Sequence, residues 1–365
     1  MTLNRLLIKN LRNIEEANIS PSPQVNIFYG ENGSGKTTVL EAINLLALGR
    51  SFRSHKHKHL IRHEQDALTV FGKIHTDENA EVPIGISRFQ NGDASFKANG
   101  VTVPSAADLA NYLPTQVINS ETFLLLEGSP KVRRQFIDWL VFHVEHSFFP
   151  VWKSLQRCLK HRNTLLRHDR ITPFELAPWD QELIGLTEKI HQFRRSSFVA
   201  YEDSFTSLCE EFSNLEGIKL SYYRGWNEDK EYAEVLSEGI ERDKRLGYTQ
   251  YGSHKADLKI TIQGQNAADI LSRGQQKLLV CALKIAQGYI FSRVTGRKSL
   301  YLVDDLPAEL DDKHRKLLAH WLAKMGTQVF ITGVEKDLLV SSWLPIPNSH
   351  LKMFHVEHGK VTEEV

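Results

Sequence analysis

Cysteine is scarce in this sequence: Cys158, Cys209 and Cys281 stand far apart and form no C-x-x-C pair. That excludes a zinc ribbon and a disulfide framework, and it suits a reducing compartment. An excess of charge of one sign is missing too. Lys and Arg total 45 against 44 Asp and Glu, a net charge of +1 with neutral histidine. A uniformly basic nucleic-acid binder is therefore excluded, and any DNA-binding face has to be a local patch. No uninterrupted apolar run reaches the roughly 18 residues that cross a bilayer, and the stretch from Ile43 to Leu48 stops after little more than a turn. The N-terminal stretch through Ser20 has no apolar h-region and reaches acids by Glu15, so a signal peptide is not expected there. Sustained heptads, internal repeats and low-complexity tracts are all absent, which excludes a long coiled coil. A cytoplasmic protein with no membrane span is the expectation.

What is present is a chain of 365 residues, 41% hydrophobic, long enough for two lobes with sizeable cores. Leu3–Lys9 and Val25–Tyr29 read as strands, and Thr37–Leu48 as a helix. Short strands alternating with turns such as Asn91-Gly92-Asp93 and Asn99-Gly100 predict an antiparallel meander from about Leu68 to Val103. Long amphipathic segments (Val132–His146, Val151–Arg167) follow. A strand at Lys255–Ile262 and a helix from about Gly274 to Arg293 come next. Then come a strand at Ser299–Val303, a helix at Asp312–Met325 and a last strand at Gln328–Ile331. This order predicts an α/β lobe of residues 1–130 and 291–365, interrupted by a helical lobe of residues 131–290.

The strongest motif is Gly30-Glu31-Asn32-Gly33-Ser34-Gly35-Lys36-Thr37, followed by Thr38, a G-x-x-x-x-G-K-[ST] loop between a strand and a helix. Glycines let backbone N–H groups curl around the phosphates of ATP, and the helix start turns its positive end toward the same anion. Lys36 supplies a point charge, and the Thr37 hydroxyl is a magnesium ligand. A glycine turn that merely caps a helix is the plainer reading, and the lysine and threonine disfavour it. Downstream, Leu300-Tyr-Leu-Val303-Asp304-Asp305 is an apolar strand ending in paired carboxylates. At the carboxyl end of a parallel strand they would face the ligand crevice, with Asp304 holding Mg2+ and Asp305 as the base that polarises the attacking water. Acids that only cap the next helix would be preferred if the glycine loop were missing.

Between these motifs lies Leu271-Ser272-Arg273-Gly274-Gln275, similar to the L-S-G-G-Q signature of ATP-binding-cassette (ABC) ATPases with Arg273 in place of the first glycine. Ser272, Gly274 and Gln275 at a helix start suit an anion. In that superfamily the signature touches the γ-phosphate held by a partner subunit, which implies a homodimer closed by ATP. Ala308-Glu309-Leu310-Asp311 resembles the loop that lies along such a dimer interface. Thr332 stands nearest to where cassette transporters carry a switch histidine, and Gln116 is the nearest match to their conserved glutamine. Asp305 is one methylene shorter than the commoner glutamate, so slow turnover is expected.

The glycine loop with Glu41-Ala-Ile43 and Gly49-Arg-Ser-Phe-Arg53 resembles the RecF recombination mediators, relatives of the SMC ATPases without their long coiled coil. Further matches are Asn10-Leu-Arg-Asn13, Gly128-Ser-Pro130, Arg133-Arg134, Phe136-Ile-Asp138, Lys160-His-Arg-Asn163 and Val303-Asp-Asp305. The pentapeptide Phe142-His-Val-Glu-His146, which recurs as Phe354-His-Val-Glu-His358, is another. The resemblance spans nearly the whole chain. It implies an ABC-type P-loop ATPase head with an antiparallel β subdomain and an inserted α-helical lobe. It further implies a weak ATPase that binds single- and double-stranded DNA at gaps or single-strand/double-strand junctions. Such a protein would work with RecR, and through it RecO, to load RecA in gap repair and the SOS response.

Two stretches support DNA contact independently. From Ala42 to His63 there is no acid, while Arg50, Arg53, Lys56, Lys58 and Arg62 alternate with His55, His57, His59 and His63. Lys153, Arg157, Lys160, Arg162, Arg167 and Arg170 form the second, with Asp169 as its one acid. Such patches bind phosphates without sequence choice, although an ordinary solvated face has the same composition. A metal site in the histidine run is disfavoured by the lysines inside it. The alternatives are an assembly module that uses ATP only as dimer glue, and the ATPase subunit of a transporter.

Overall fold

The computed structural model describes residues 1–54, 56–76, 80–168, 171–212, 215–305, 310–344, 346 and 350–364. The chain divides into two units, Met1–Thr122 with Lys277–Val365, and Phe123–Gln276.

The first unit is built on two six-stranded sheets. One is fully antiparallel. Its strands are β1 (Thr2–Leu11), β2 (Ile14–Ile19), β4 (Ala67–His75), β5 (Glu81–Phe89), β6 (Ala94–Ala98) and β7 (Val101–Val103), in the order β2-β1-β4-β5-β6-β7. The other runs β15-β14-β3-β13-β12-β8, from β3 (Val25–Tyr29), β8 (Thr115–Ile118), β12 (Leu300–Val303), β13 (Val329–Gly333), β14 (Leu351–Glu357) and β15 (Lys360–Glu364). Only the β14–β15 pair is antiparallel in that sheet. Helix α1 (Lys36–Leu48) is buried on nearly every side. Its Leu40, Ile43, Leu45 and Leu46 join Leu6 and Val70 of the antiparallel sheet and Phe28, Leu302 and Phe330 of the parallel one in a single core. A helix that is apolar all round belongs inside such a core. Short helices α2 (Ala106–Ala110) and α12 (Lys336–Ser341), and α11 (Asp312–Lys324), complete the unit.

The second unit holds α3 (Leu124–Glu127), α4 (Pro130–Val144), α5 (Phe148–Leu165), α6 (Pro173–Cys209), α7 (Tyr232–Glu238), α8 (Ile240–Leu246) and α9 (Ala267–Ile270). Its three-stranded antiparallel sheet runs β11-β10-β9, from β9 (Ile218–Tyr223), β10 (Asp257–Ile262) and β11 (Gln265–Asn266). Helix α10 (Arg273–Thr295) begins in this unit and continues into the first from Lys277. One division therefore falls inside that helix at 276/277, in the same helix as the expected boundary of 290/291, and the other falls at 122/123, where 130/131 was expected. Among the described residues only α10 is long and apolar enough to cross a membrane, and most of it is buried within the protein.

Strand β2 and the hairpin β14–β15 were not expected from the sequence. The first Phe-His-Val-Glu-His lies at the end of α4, whereas the second lies on β14 and in the turn after it.

On α10, the half-buried Lys284 donates to Gln116 Oε1 at 3.1 Å, while Gln116 Nε2 donates to Gln287 Oε1 at 2.7 Å. Burial pushes the Lys284 ammonium down from 10.5 to about 8. Between those values the unfolded chain holds more protons than the folded one, so stability rises with pH across that window and is least below pH 8. Lys284→Met should remove this rise. Urea unfolding at pH 7.5 and pH 10 should show wild type gaining about 2 kcal/mol relative to the variant. Equal changes in both proteins would exclude the assignment.

Candidate functional site

The loop from Gly30 to Thr37 leaves the carboxyl end of β3 and enters α1. Gly30 and Gly35 take φ of 150° and 120°. A Cβ at Gly30 would run into the Val356 carbonyl, and one at Gly35 would lie 2.9 Å from Asn13 Nδ2. Only glycine fits both places. Gly35 is the N-cap of α1, with no side chain capping the helix, so the first-turn N–H groups are left for an anion. Lys36 is buried, and its Nζ donates to the carbonyl oxygens of Gly30 and Glu31, each at 2.8 Å. Burial lowers its pKa, and the nearby charges of Asp305 and Asp304 work the other way. The Ser34 hydroxyl is buried with no hydrogen-bond partner among the described residues. A stored cation, an unpartnered hydroxyl and uncapped N–H groups in one small loop fit a phosphate group. Glu31, Asn32 and Gly33 are the exposed part of the loop.

Asp304 follows β12, and β12 reaches the loop through β13, which pairs with both β12 and β3. Thr37 Oγ1 donates to Asp304 Oδ1 at 2.9 Å, and Thr332 Oγ1 donates to the same oxygen at 2.7 Å. Thr332 Oγ1 also accepts the Asp305 N–H at 3.0 Å. Burial raises the Asp304 pKa, opposed by the two threonine hydrogen bonds and by the charge of Arg53. A hydroxyl and a partly desolvated carboxylate, both hard oxygen donors, fit Mg2+ between Thr37 and Asp304. Asp305 is exposed in a left-handed conformation, φ 52°. The structure thus brings Lys36, Thr37, Asp304 and Asp305 together, while Thr38 faces away from Asp304 and donates to Asn13 Oδ1 at 3.2 Å.

Ser272, Gly274 and Gln275 belong to the second unit. Ser272 Oγ accepts the Gln275 N–H at 3.4 Å, and Gln275 Oε1 accepts the Ser272 N–H at 3.0 Å, a reciprocal cap on α10. Ser272, Arg273 and Gly274 are exposed, and among the described residues nothing lies within 4 Å of a Cβ built on Gly274. Arg273 pairs with Glu127.

Some sequence expectations need correction. Gln116 lies within β8 with its amide committed to Lys284 and Gln287, and the residue leaving β8 beside Asp304 is Asn119. Arg162 does not belong to a basic patch. It is fully buried, held by Asp180, Asp243 and Thr249. Ala308 and Glu309 of the proposed interface loop lie outside the described residues, as do His55, Asp169 and Arg170. Sequence reading missed two neighbours of the site, Asn13 and the charge of Arg53 on Asp304. The clue to Asn13 was Asn10-Leu-Arg-Asn13 itself, matched as a motif without a role.

An anion-binding loop beside an oxygen-donor pair, on a parallel sheet packed against an antiparallel one through α1, defines an ATPase head of the ABC type. The chain belongs to the RecF family of DNA replication and repair proteins, within the RecF/RecN/SMC N-terminal domain family, whose model matches residues 2–362. It is 65% identical over 362 residues to the DNA replication and repair protein RecF of Cellvibrio japonicus, covering 99% of each chain. To RecF of Pseudomonas aeruginosa strain LESB58 it is 48% identical, covering 100% of this chain and 98% of that one. The solved structure of the recombination mediator protein RecF with ATP in the RecFOR pathway superposes with a TM-score of 0.89 at 25% identity, covering 100% and 98% of the two chains. An Smc head bound to the C-winged helix domain of ScpA shares the fold, with a TM-score of 0.60 at 16% identity over 100% and 98% of the two chains.

Proposed function

We propose that this protein is an ATP-gated, DNA-binding clamp of recombinational gap repair, a weak ATPase whose homodimer closes on ATP and opens on hydrolysis. The observation that carries the reading is the hydrogen-bonded chain Thr37–Asp304–Thr332–Asp305 at the mouth of the phosphate loop. ATP would draw Lys36 Nζ from the Gly30 and Glu31 carbonyls to the β- and γ-phosphates. Thr37 and Asp304 would hold Mg2+, which when bound neutralises charge developing on the phosphates. Thr332 fixes the Asp304 carboxylate and the Asp305 backbone with one hydroxyl. Asp305 would take the proton of the attacking water, and its short side chain makes turnover slow. Ser272 and Gly274, exposed at the start of α10, and the half-buried Gln275 beside them would reach the γ-phosphate held by a second copy.

DNA would be held by charge, without sequence choice. Arg50, Arg53, Lys56, Lys58, His59 and His63 are exposed, and so are Lys153, Arg157 and Lys160 on α5 and Arg167 just after it. The three α5 residues fall on one face over about 10 Å. The RecFOR name carried by the solved relatives supports RecR, and through it RecO, as partners on gapped DNA, with the work done in the cytoplasm.

Size-exclusion chromatography with light scattering, with and without ATP and a gapped duplex, tests this reading. Wild type should become a dimer with ATP. Ser272→Arg should still bind ATP yet remain a monomer, because the signature acts on the other subunit. ATP-driven dimers of Ser272→Arg, or a wild-type monomer indifferent to both ligands, would overturn it.

A further inference from the structure

The two-residue turn between β1 and β2 reaches the phosphate loop. Asn13 Nδ2 donates to the carbonyl oxygen of Ser34 at 2.9 Å and lies 3.4 Å from that of Gly33. Its Oδ1 accepts the Thr38 hydroxyl of α1. The Ser34 carbonyl takes a second bond, from the Gly359 N–H at 2.8 Å. Gly359 sits in the turn between β14 and β15, and a Cβ there would collide with the Asn13 carbonyl. Segments from near both ends of the sequence therefore converge on one loop carbonyl.

A peptide group is planar and trans, so its C=O and N–H point in opposite directions. Holding the Ser34 carbonyl outward turns the Gly35 N–H inward, toward where the phosphates go. With φ of 120° at Gly35 that peptide has little preference of its own, because glycine offers the backbone many conformations. The turn is itself braced. Arg12 makes a two-pronged pair with Glu41, a fully buried residue of α1, which also accepts the Ser51 hydroxyl. Leu11 pairs with Ile14 across the turn, and Arg62 Nη1 donates to the Asn13 carbonyl at 3.3 Å.

We infer that Asn13 is a positioning residue for nucleotide binding: its amide, together with the Gly359 N–H, sets the Ser34–Gly35 peptide so that the loop presents its N–H groups to phosphate. The inference rests on the ATP-binding reading above. It gives Asn10-Leu-Arg-Asn13 a task, with Arg12 bracing the turn against α1 and Asn13 acting on the loop.

The test is calorimetric titration of Mg-ATP into wild type, Asn13→Ala and Asn13→Asp, with melting of each protein free of nucleotide. Aspartate suits a turn as well as asparagine does but has no N–H to give the Ser34 carbonyl. Both variants should bind ATP at least about tenfold more weakly, with melting temperatures within a few degrees of wild type. Affinity retained in Asn13→Ala, or restored in Asn13→Asp, would overturn the inference. So would a loss of affinity in Asn13→Ala that comes with loss of the folded state. If wild type itself binds no ATP, the nucleotide reading falls, and this inference with it.

Discussion

Lys36→Ala is expected to weaken ATP binding by about a hundredfold or more and to abolish the rise in melting temperature that ATP causes. Lys36 is a cation kept in a buried place that disfavours its charge. Its partners there are two neutral carbonyls, those of Gly30 and Glu31. A triphosphate would give the same ammonium charged acceptors, and hydrogen bonds between charged groups in partly dry surroundings are worth roughly twice the neutral kind. Removing the lysine leaves the phosphate charge without its counter-ion, and in the nucleotide-free protein it costs the two hydrogen bonds to the Gly30 and Glu31 carbonyls. Titration should show the affinity loss, and melting without ATP should shift by only a few degrees. A variant that still bound ATP within a fewfold of wild type would refute the placement of phosphate in this loop.

Arg162→Ala should produce the largest loss of stability, about 3–5 kcal/mol. Arg162 is fully buried, with Nε 2.6 Å from Asp180 Oδ1 and Nη1 2.7 Å from Asp243 Oδ2 and 2.8 Å from Thr249 Oγ1. Asp243 is buried as well, and burial alone pushes its pKa up, against the pull of Arg162. Without the guanidinium, that carboxylate is left in the interior without a counter-ion. The cost comes from the stranded partner, so the double variant Arg162→Met with Asp243→Leu should recover most of the loss. Denaturant unfolding followed by tryptophan fluorescence suits the test, since Trp139, Trp152, Trp179 and Trp226 all lie in the second unit. A loss under 1 kcal/mol would mean that Arg162 behaves as the surface cation its sequence neighbourhood suggests.

That neighbourhood shows how a linear reading goes astray. Lys153, Arg157, Lys160 and Arg167 are exposed, and Arg162 shares their charge. Yet Leu155, Cys158, Leu159, Arg162 and Leu166 fall at the spacing of one helix face, and all five are buried. The periodicity pointed inward while the residue type pointed outward, and the periodicity was right because two carboxylates waited inside. Gln116 failed for a related reason: its place before the helical region suggested the cassette glutamine, but its register in β8 leaves it beside Tyr301, short of the strand end where Asp304 lies.

The sequence by itself determined whatever depends on neighbours along the chain. The phosphate loop is eight consecutive residues whose glycines, lysine and threonine act through local backbone geometry, and it stands where it was expected. Strand β3, helix α1 and the antiparallel meander were equally legible, because their patterns close within one element or one turn. Tertiary structure decided what depends on distant partners. Phe-His-Val-Glu-His ends a helix at 142–146, where the chain continues the 3.6-residue period of α4. At 354–358 it begins in a strand, because β3 offers an open edge and Phe28 a ring for Phe354 to stack on at 4.8 Å. Five residues carry too little backbone preference to choose between those states, and long-range pairing makes the choice. The same pairing carries β14 and β15 back to the phosphate loop, where Gly359 and Asn13 meet on the Ser34 carbonyl.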